Sequence, residues 1–255
     1  MHQTSPIESL RQQQGHRLQP AARNRWVLDV ILVDPGSWWI GCHLATNRLA
    51  RYAGGVLPVT MPADAVSRAY LKMAEALRWS NLPVSRGDSC VELGCAPGGG
   101  SQALLDRGLL VTGVDPAEVD PVVAAHPRFH HLRKRSAELS RRQLKGTQWL
   151  MADINATPNY TLDAVEAIVI HPQTSIRGLL LTLKFSNWQL ADNLPRYVER
   201  VRGWGYQDVR TRQLAHNRQE LCLAALRSRK QRRLRRSTRR HLRPDSAHTN
   251  TRGPH

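Results

Sequence analysis

Residues 92–100 read Glu92-Leu93-Gly94-Cys95-Ala96-Pro97-Gly98-Gly99-Gly100. They follow a short apolar run, Ser89–Leu93, and lead into a helical pattern that starts at Ser101. A strand that ends in a glycine-rich turn and re-enters a helix marks the ligand-binding turn of an open α/β sheet. In such sheets ligands bind beyond the carboxyl ends of the strands, where the strand order reverses. The glycines let the backbone approach a ligand closely, and the helix that follows offers free N–H groups.

Outward from the turn the pattern alternates. Strands are predicted at Ser89–Leu93, Leu109–Asp115, weakly at His130–Arg133, at Trp149–Asp153 and at Leu179–Lys184. Helical spacing places Ala69, Met73, Ala76 and Leu77 on one face of Ala65–Trp79. A second helix runs over Ser101–Asp106 to a stop at Gly108, and a third is broken near His171-Pro172. Leu194, Tyr197, Val198 and Val201 mark a fourth, which Gly203 stops. Val209–Leu214 and Leu221–Leu226 read as a closing hairpin around His216-Asn217-Arg218. This order predicts a Rossmann-like α/β fold: a mostly parallel, doubly wound sheet with an antiparallel C-terminal hairpin.

The flanks read differently. Residues 1–24 are polar and Gln/Arg-rich, the composition of a disordered segment. Within 25–62, two β-like runs, Trp26–Val33 and Trp38–Leu44, flank the turn Asp34-Pro35-Gly36-Ser37, and a Gly/Pro-containing linker follows. The expected division is therefore 1–24, a hairpin and linker over 25–62, a catalytic domain over 63–226, and a basic disordered tail over 227–255.

Charge narrows the partners. The chain of 255 residues carries 37 Lys/Arg against 20 Asp/Glu, a net of +17. Eleven of those cations and one acid, Asp245, lie in 227–255, so that segment carries +10 and the remainder +7. A polyanion, RNA above all, is the expected partner. The plain alternative for the tail is a solvated segment that binds nothing. No apolar run approaches the roughly 20 residues that span a bilayer, and the N-terminus lacks the apolar core of a signal peptide. Cys42, Cys90, Cys95 and Cys222 form no CxxC pair and have no histidine at metal spacing. No metal site or disulfide framework is expected, and a reducing cytoplasm fits.

A loop of this kind can serve NAD, FAD or S-adenosylmethionine, or be a tight turn without a ligand. The dinucleotide pattern GxGxxG requires glycine where Ala96 stands. Pro97 removes an N–H that a pyrophosphate would use. S-adenosylmethionine has no pyrophosphate, so the loop suits it better. Asp115 ends the second strand 21 residues after Gly94, where an acid can accept the hydroxyls of an adenosine ribose.

The segment Glu92-Leu93-Gly94-Cys95-Ala96-Pro97-Gly98-Gly99-Gly100-Ser101-Gln102 resembles the loop of the FtsJ-like ribose 2'-O-methyltransferases, usually Asp-Leu-Gly-x-x-Pro-Gly-Gly-Trp-Ser-Gln. Two further segments, Pro62–Lys72 and Gln213–Glu220, resemble motifs of the family's 23S rRNA cytidine 2'-O-methyltransferases. The resemblance runs from about Arg25 to Leu226. It implies a methyltransferase fold with a seven-stranded sheet, S-adenosylmethionine as cofactor, 23S rRNA as substrate and a Lys-Asp-Lys-Glu tetrad at Lys72, Asp153, Lys184 and Glu220. It also implies that Gly94, Ala96, Pro97, Gly98, Gly99, Asp115 and Asp153 bind the cofactor. A ribose hydroxyl becomes a nucleophile when a base takes its proton, and an amine does so only when neutral, which burial and a neighbouring cation favour.

The chain also departs from the family. Gly100 stands in place of Trp, Arg135 near the place of an acid that contacts the cofactor, and Ala69 in place of a small hydroxyl residue. Those relatives carry a long RNA-binding region with a THUMP domain ahead of the catalytic domain, and here only residues 25–60 resemble its end. A catalytically weak RNA-binding protein that keeps the fold is therefore a second reading. A methyltransferase for protein or small molecules fits the basic charge less well, and an oxidoreductase least.

Overall fold

Strands and helices alternate from residue 89 to the last two strands, which follow each other directly. The structure is a computed structural model that describes residues 20–228. The readings of disorder over 1–24 and 227–255 lie outside it for 1–19 and 229–255. Strands β1 (Trp26–Asp34) and β2 (Ser37–Leu44) pair as an antiparallel hairpin, with Gly36 N donating to Asp34 Oδ1 at the turn. The remaining strands are β3 (Ser89–Leu93), β4 (Leu110–Val114), β5 (Phe129–Leu132), β6 (Trp149–Ala152), β7 (Gly178–Lys184), β8 (Asp208–Arg212) and β9 (Glu220–Leu226). They form one seven-stranded sheet in the order β5-β4-β3-β6-β7-β9-β8. β3 to β7 are parallel, and β9 runs antiparallel to both β7 and β8.

Among the described residues five α-helices cover the sheet: α1 (Ala69–Ser80), α2 (Gly99–Asp106), α3 (Pro121–Ala124), α4 (Pro158–Val169) and α5 (Leu194–Gly203). Thr157 and Asp120 cap α4 and α3 with their side chains, each followed by a proline at the first helical position. Buried side chains gather on both sides of the sheet. Leu162, Val165, Ile168, Tyr197 and Val201 pack on one side, and Met73, Ala76, Leu77, Ala103 and Leu104 on the other.

Three expectations shift. α1 begins at Ala69 rather than Ala65, because Gln102 on α2 holds the segment before it through Val66 N and Asp64 O. α5 includes Gly203, and the left-handed residue that turns the chain is Gly205 at φ +92°. Arg227, read as the first residue of the tail, caps the sheet domain: its guanidinium donates to the carbonyls of Ile176, Trp204 and Val169 and lies over the Tyr206 ring.

Candidate active site

The carboxyl ends of the parallel strands lie along one edge of the sheet, about 4.8 Å apart from strand to strand. Arg135 follows β5, Asp115 follows β4, Gly94 follows β3, Asp153 follows β6 and Lys184 ends β7. Because β9 is antiparallel, its first residue, Glu220, lies directly opposite Lys184. Lys72 comes from the first turn of α1. The four residues converge. Lys72 Nζ donates to Glu220 Oε1 at 2.8 Å, stands 2.7 Å from Oε2 and lies 3.7 Å from Asp153 Oδ2. Lys184 Nζ lies 3.2 Å from Asp153 Oδ1. The four side chains are 12–22% exposed, so the ions interact through little water.

Two cavities flank the cluster. One, about 380 Å³, is lined by Gly94, Ala96, Asp115, Asp153 and Lys184 among others. The other, about 430 Å³, is lined by Asn155, Ser186, Arg218, Gln219 and Glu220 among others, and also by Lys184. Gly94 is at φ +77°, and a β-carbon there would meet Asp153 O and Ile154 Cα at 2.9 Å, so only glycine lets β3 and β6 exit side by side. Pro97, Gly98 and Gly99 do not line the first cavity. Pro97 O accepts from Asp120 N, and Gly98 packs on Val119 and Val123. Gly99 lies against Ser67 and the backbone of Tyr70. These three shape the turn and seat α2 on α1. Asp115, which lines the first cavity, accepts from Ala96 N through Oδ2 at 3.1 Å and from Ala117 N through Oδ1 at 2.9 Å, and each carboxylate oxygen has capacity for a further bond.

Two acids without a role in the sequence reading stand out. Glu92 is 1% exposed and accepts from Ser101 Oγ. Burial pushes its carboxyl up to about 8, with Asp153 and Asp115 adding to the effect and the Ser101 bond opposing it. A β-carbon at Gly100 would collide with this carboxyl. The missing Trp is thus matched by an acid that fills the space above residue 100. Glu75 on α1 is buried and accepts from Ala215 N at 3.0 Å and His216 N at 2.9 Å. It holds the loop that follows β8, a strand that ends at Arg212 rather than Leu214. It thereby fixes the loop that leads to Glu220. Both were visible as signals: Glu92 is a charge inside an apolar strand, and Glu75 lies one helical turn from Lys72.

The family profile of FtsJ-like methyltransferases matches residues 65–191, which hold the glycine loop and three of the four clustered residues. The chain belongs to the FtsJ-like methyltransferases. The Ribosomal RNA large subunit methyltransferase M of Shewanella sp. (strain ANA-3) is 25% identical over 230 residues, covering 86% of this chain and 63% of that protein. That of Shewanella pealeana is 26% identical and covers 86% and 64%. This FtsJ-like chain thus spans just under two thirds of the length of those relatives. The fibrillarin/Nop5p complex superposes with a TM-score of 0.51 at 14% identity, over 63% of this chain and 83% of that one, which speaks to the fold alone. The sheet order with its antiparallel β9 is the Rossmann-like methyltransferase fold.

Proposed function

We propose that this FtsJ-like chain is an S-adenosylmethionine-dependent RNA ribose 2'-O-methyltransferase acting on 23S rRNA, with Lys184 as general base. The observation that carries the reading is the position of Lys184: it lines both cavities and meets Asp153, whereas both oxygens of Glu220 hold Lys72. The first cavity fits a cationic cofactor at its Asp115 and Asp153 side, where two carboxylates line it. Asp115 would hold the ribose hydroxyls, Gly94 would admit the cofactor close to the backbone, and Asp153 would face its charged end. When bound, S-adenosylmethionine supplies an electrophilic methyl group on a cationic sulfur.

The second cavity has room for one nucleoside, so the target nucleotide enters unpaired or flipped from its helix. Arg218 lines that cavity and is suited to a phosphate. Lys184 takes the proton of the 2'-hydroxyl, and Asp153 orients the amine. Once protonated, Lys184 pairs with Asp153, while Lys72 stays held by Glu220. The rRNA methyltransferase names of the relatives and the net charge of +17 support RNA as substrate.

The test is transfer of a labelled methyl group from S-adenosylmethionine to deproteinised rRNA, followed by alkaline hydrolysis. Label in alkali-resistant dinucleotides is the expected result, since a 2'-O-methyl group blocks cleavage. Lys184→Ala should lower the rate by about 10²–10⁴-fold, and Lys184→Arg should not restore it, because a guanidinium stays protonated. Label on mononucleotides would refute ribose transfer. The second reading, an RNA-binding protein that keeps the fold, is favoured by Lys134 and Arg135 lining the first cavity where the family resemblance expects an acid. RNA binding with no transfer at all would select it.

A further inference from the structure

The 19 residues of the β1–β2 hairpin, 26–44, contain no lysine or arginine, in a chain of net charge +17. The hairpin stands apart from the seven-stranded sheet. Directly paired residues of two strands share a face. The pairs Trp26–Leu44, Leu28–Cys42, Val30–Ile40 and Leu32–Trp38 therefore lie on one side, and none of the eight carries a charge. Trp26 is 71% exposed and Ile40 68%. The opposite face is anchored at its base. Val27 is buried there, Asp29 accepts from Gly54 N and pairs with His43, and His43 Nε2 lies 2.8 Å from Ala50 O. One face holds the hairpin to the protein at its base and is exposed toward the tip, at Ile31, Val33 and Trp39, whereas the other is uncovered along its length by the described residues.

The size and charge of that face indicate what covers it. Its side chains expose on the order of 700 Å², near the roughly 800 Å² per partner of a standard interface and well beyond the few hundred that monomers leave open. A two-stranded hairpin is also marginally stable in water by itself. RNA is a poor match, because the hairpin offers phosphates no cation and carries Asp29 and Asp34. A second copy is a good match. Two hairpins can meet without bringing cations together, which other basic surfaces of the chain cannot do. The face is self-complementary as well. It has a tryptophan toward each end, so a two-fold axis between the Leu28–Cys42 and Val30–Ile40 pairs sets the Trp26 end of one copy over the Trp38 end of the other. We infer that the uncovered face of the β1–β2 hairpin is a homodimer interface, two copies packed face to face about that axis.

The full chain, freed of RNA by nuclease and held in high salt, tests this by sedimentation equilibrium across micromolar concentrations. Cys42 lies on the face and is exposed, whereas Cys90, Cys95 and Cys222 are buried, so a thiol reagent reports on the face directly. The expected result is a mass twice that of the chain. Alkylation of Cys42 should slow about tenfold once nine-tenths of the protein is paired. Ile40→Glu should restore the single-chain mass and fast alkylation without changing the thermal transition of the sheet domain. If Ile40→Glu does not fold, Leu28→Lys serves the same purpose. A single-chain mass with fast Cys42, association that survives a folded variant, or slow Cys42 in a monomer would each overturn the inference. The last would mean that the chain's own residues cover the face. None of these readouts depends on methyl transfer.

Discussion

At the residue scale, Glu92 couples folding to pH. Its carboxyl is raised to about 8 in the folded chain by burial, against roughly 4.3 in an unfolded one. Between those values the folded state binds the extra proton, so this group's contribution to stability falls as pH rises toward 8 and is flat above it. Asp115 and Asp153 face it from the neighbouring strand ends and Ser101 from α2, so the slope belongs to this small group of charges. Glu92→Gln should remove the slope: melting temperatures measured from pH 5 to pH 8.5 should show the variant gaining on the wild type as pH rises. Gly100 is the other half of the same fit. Gly100→Ala should cost about 1–3 kcal/mol by overpacking. Glu92→Asp in the same chain should recover much of that loss, read by denaturant unfolding of the single and double variants. Equal losses in both would show that residues 92 and 100 do not share the space.

At the element scale, the site depends on how α1 grips the β8–β9 connection. Glu75→Ala leaves the N–H groups of Ala215 and His216 without their acceptor and should cost about 1–3 kcal/mol. Faster amide exchange at those two residues, with a lower kcat, is the expected signature, and Glu75→Gln should fall between. This grip also marks where reading the sequence ends. Strands β3, β4, β6 and β7 were legible because each is a short apolar run bounded by glycine or a charge; Asp153 and Lys184 came from the family resemblance and fall at the ends of two of those strands. Gly94 was legible because a turn between adjacent strand exits needs φ above zero. The path of the loop after β8 was not, because a carboxylate on α1, 140 residues away, holds it. The exclusion of Pro97, Gly98 and Gly99 from the cavity was not legible either. It depends on α1 and α3 packing against the far side of the turn. The start of α1 depended in the same way on Gln102.

At the scale of the whole molecule, the position of Arg227 decides how the basic tail should be removed. Its guanidinium joins the end of α4, the entry to β7 and the residue after α5 through Val169, Ile176 and Trp204. A chain ending at Ser228 should keep the melting temperature of the full protein, bind RNA more weakly and show a shallower dependence of affinity on salt, because ten cations of the tail are gone. A chain ending at Leu226 should also melt lower. Filter binding at several salt concentrations, beside calorimetry of both truncations, separates the two effects. Unchanged RNA affinity in the longer truncation product would show that the tail holds no phosphate.

The absence of lysine and arginine from the hairpin has a practical consequence. Salt acts in opposite directions on the two parts of this chain. The washes that strip nucleic acid from the basic surface also screen the repulsion between copies, and a kosmotropic salt such as sulfate strengthens contacts between the bare tryptophan faces. Preparations cleaned in this way should therefore become less soluble as they become purer, and a non-kosmotropic salt is the better choice for handling the protein.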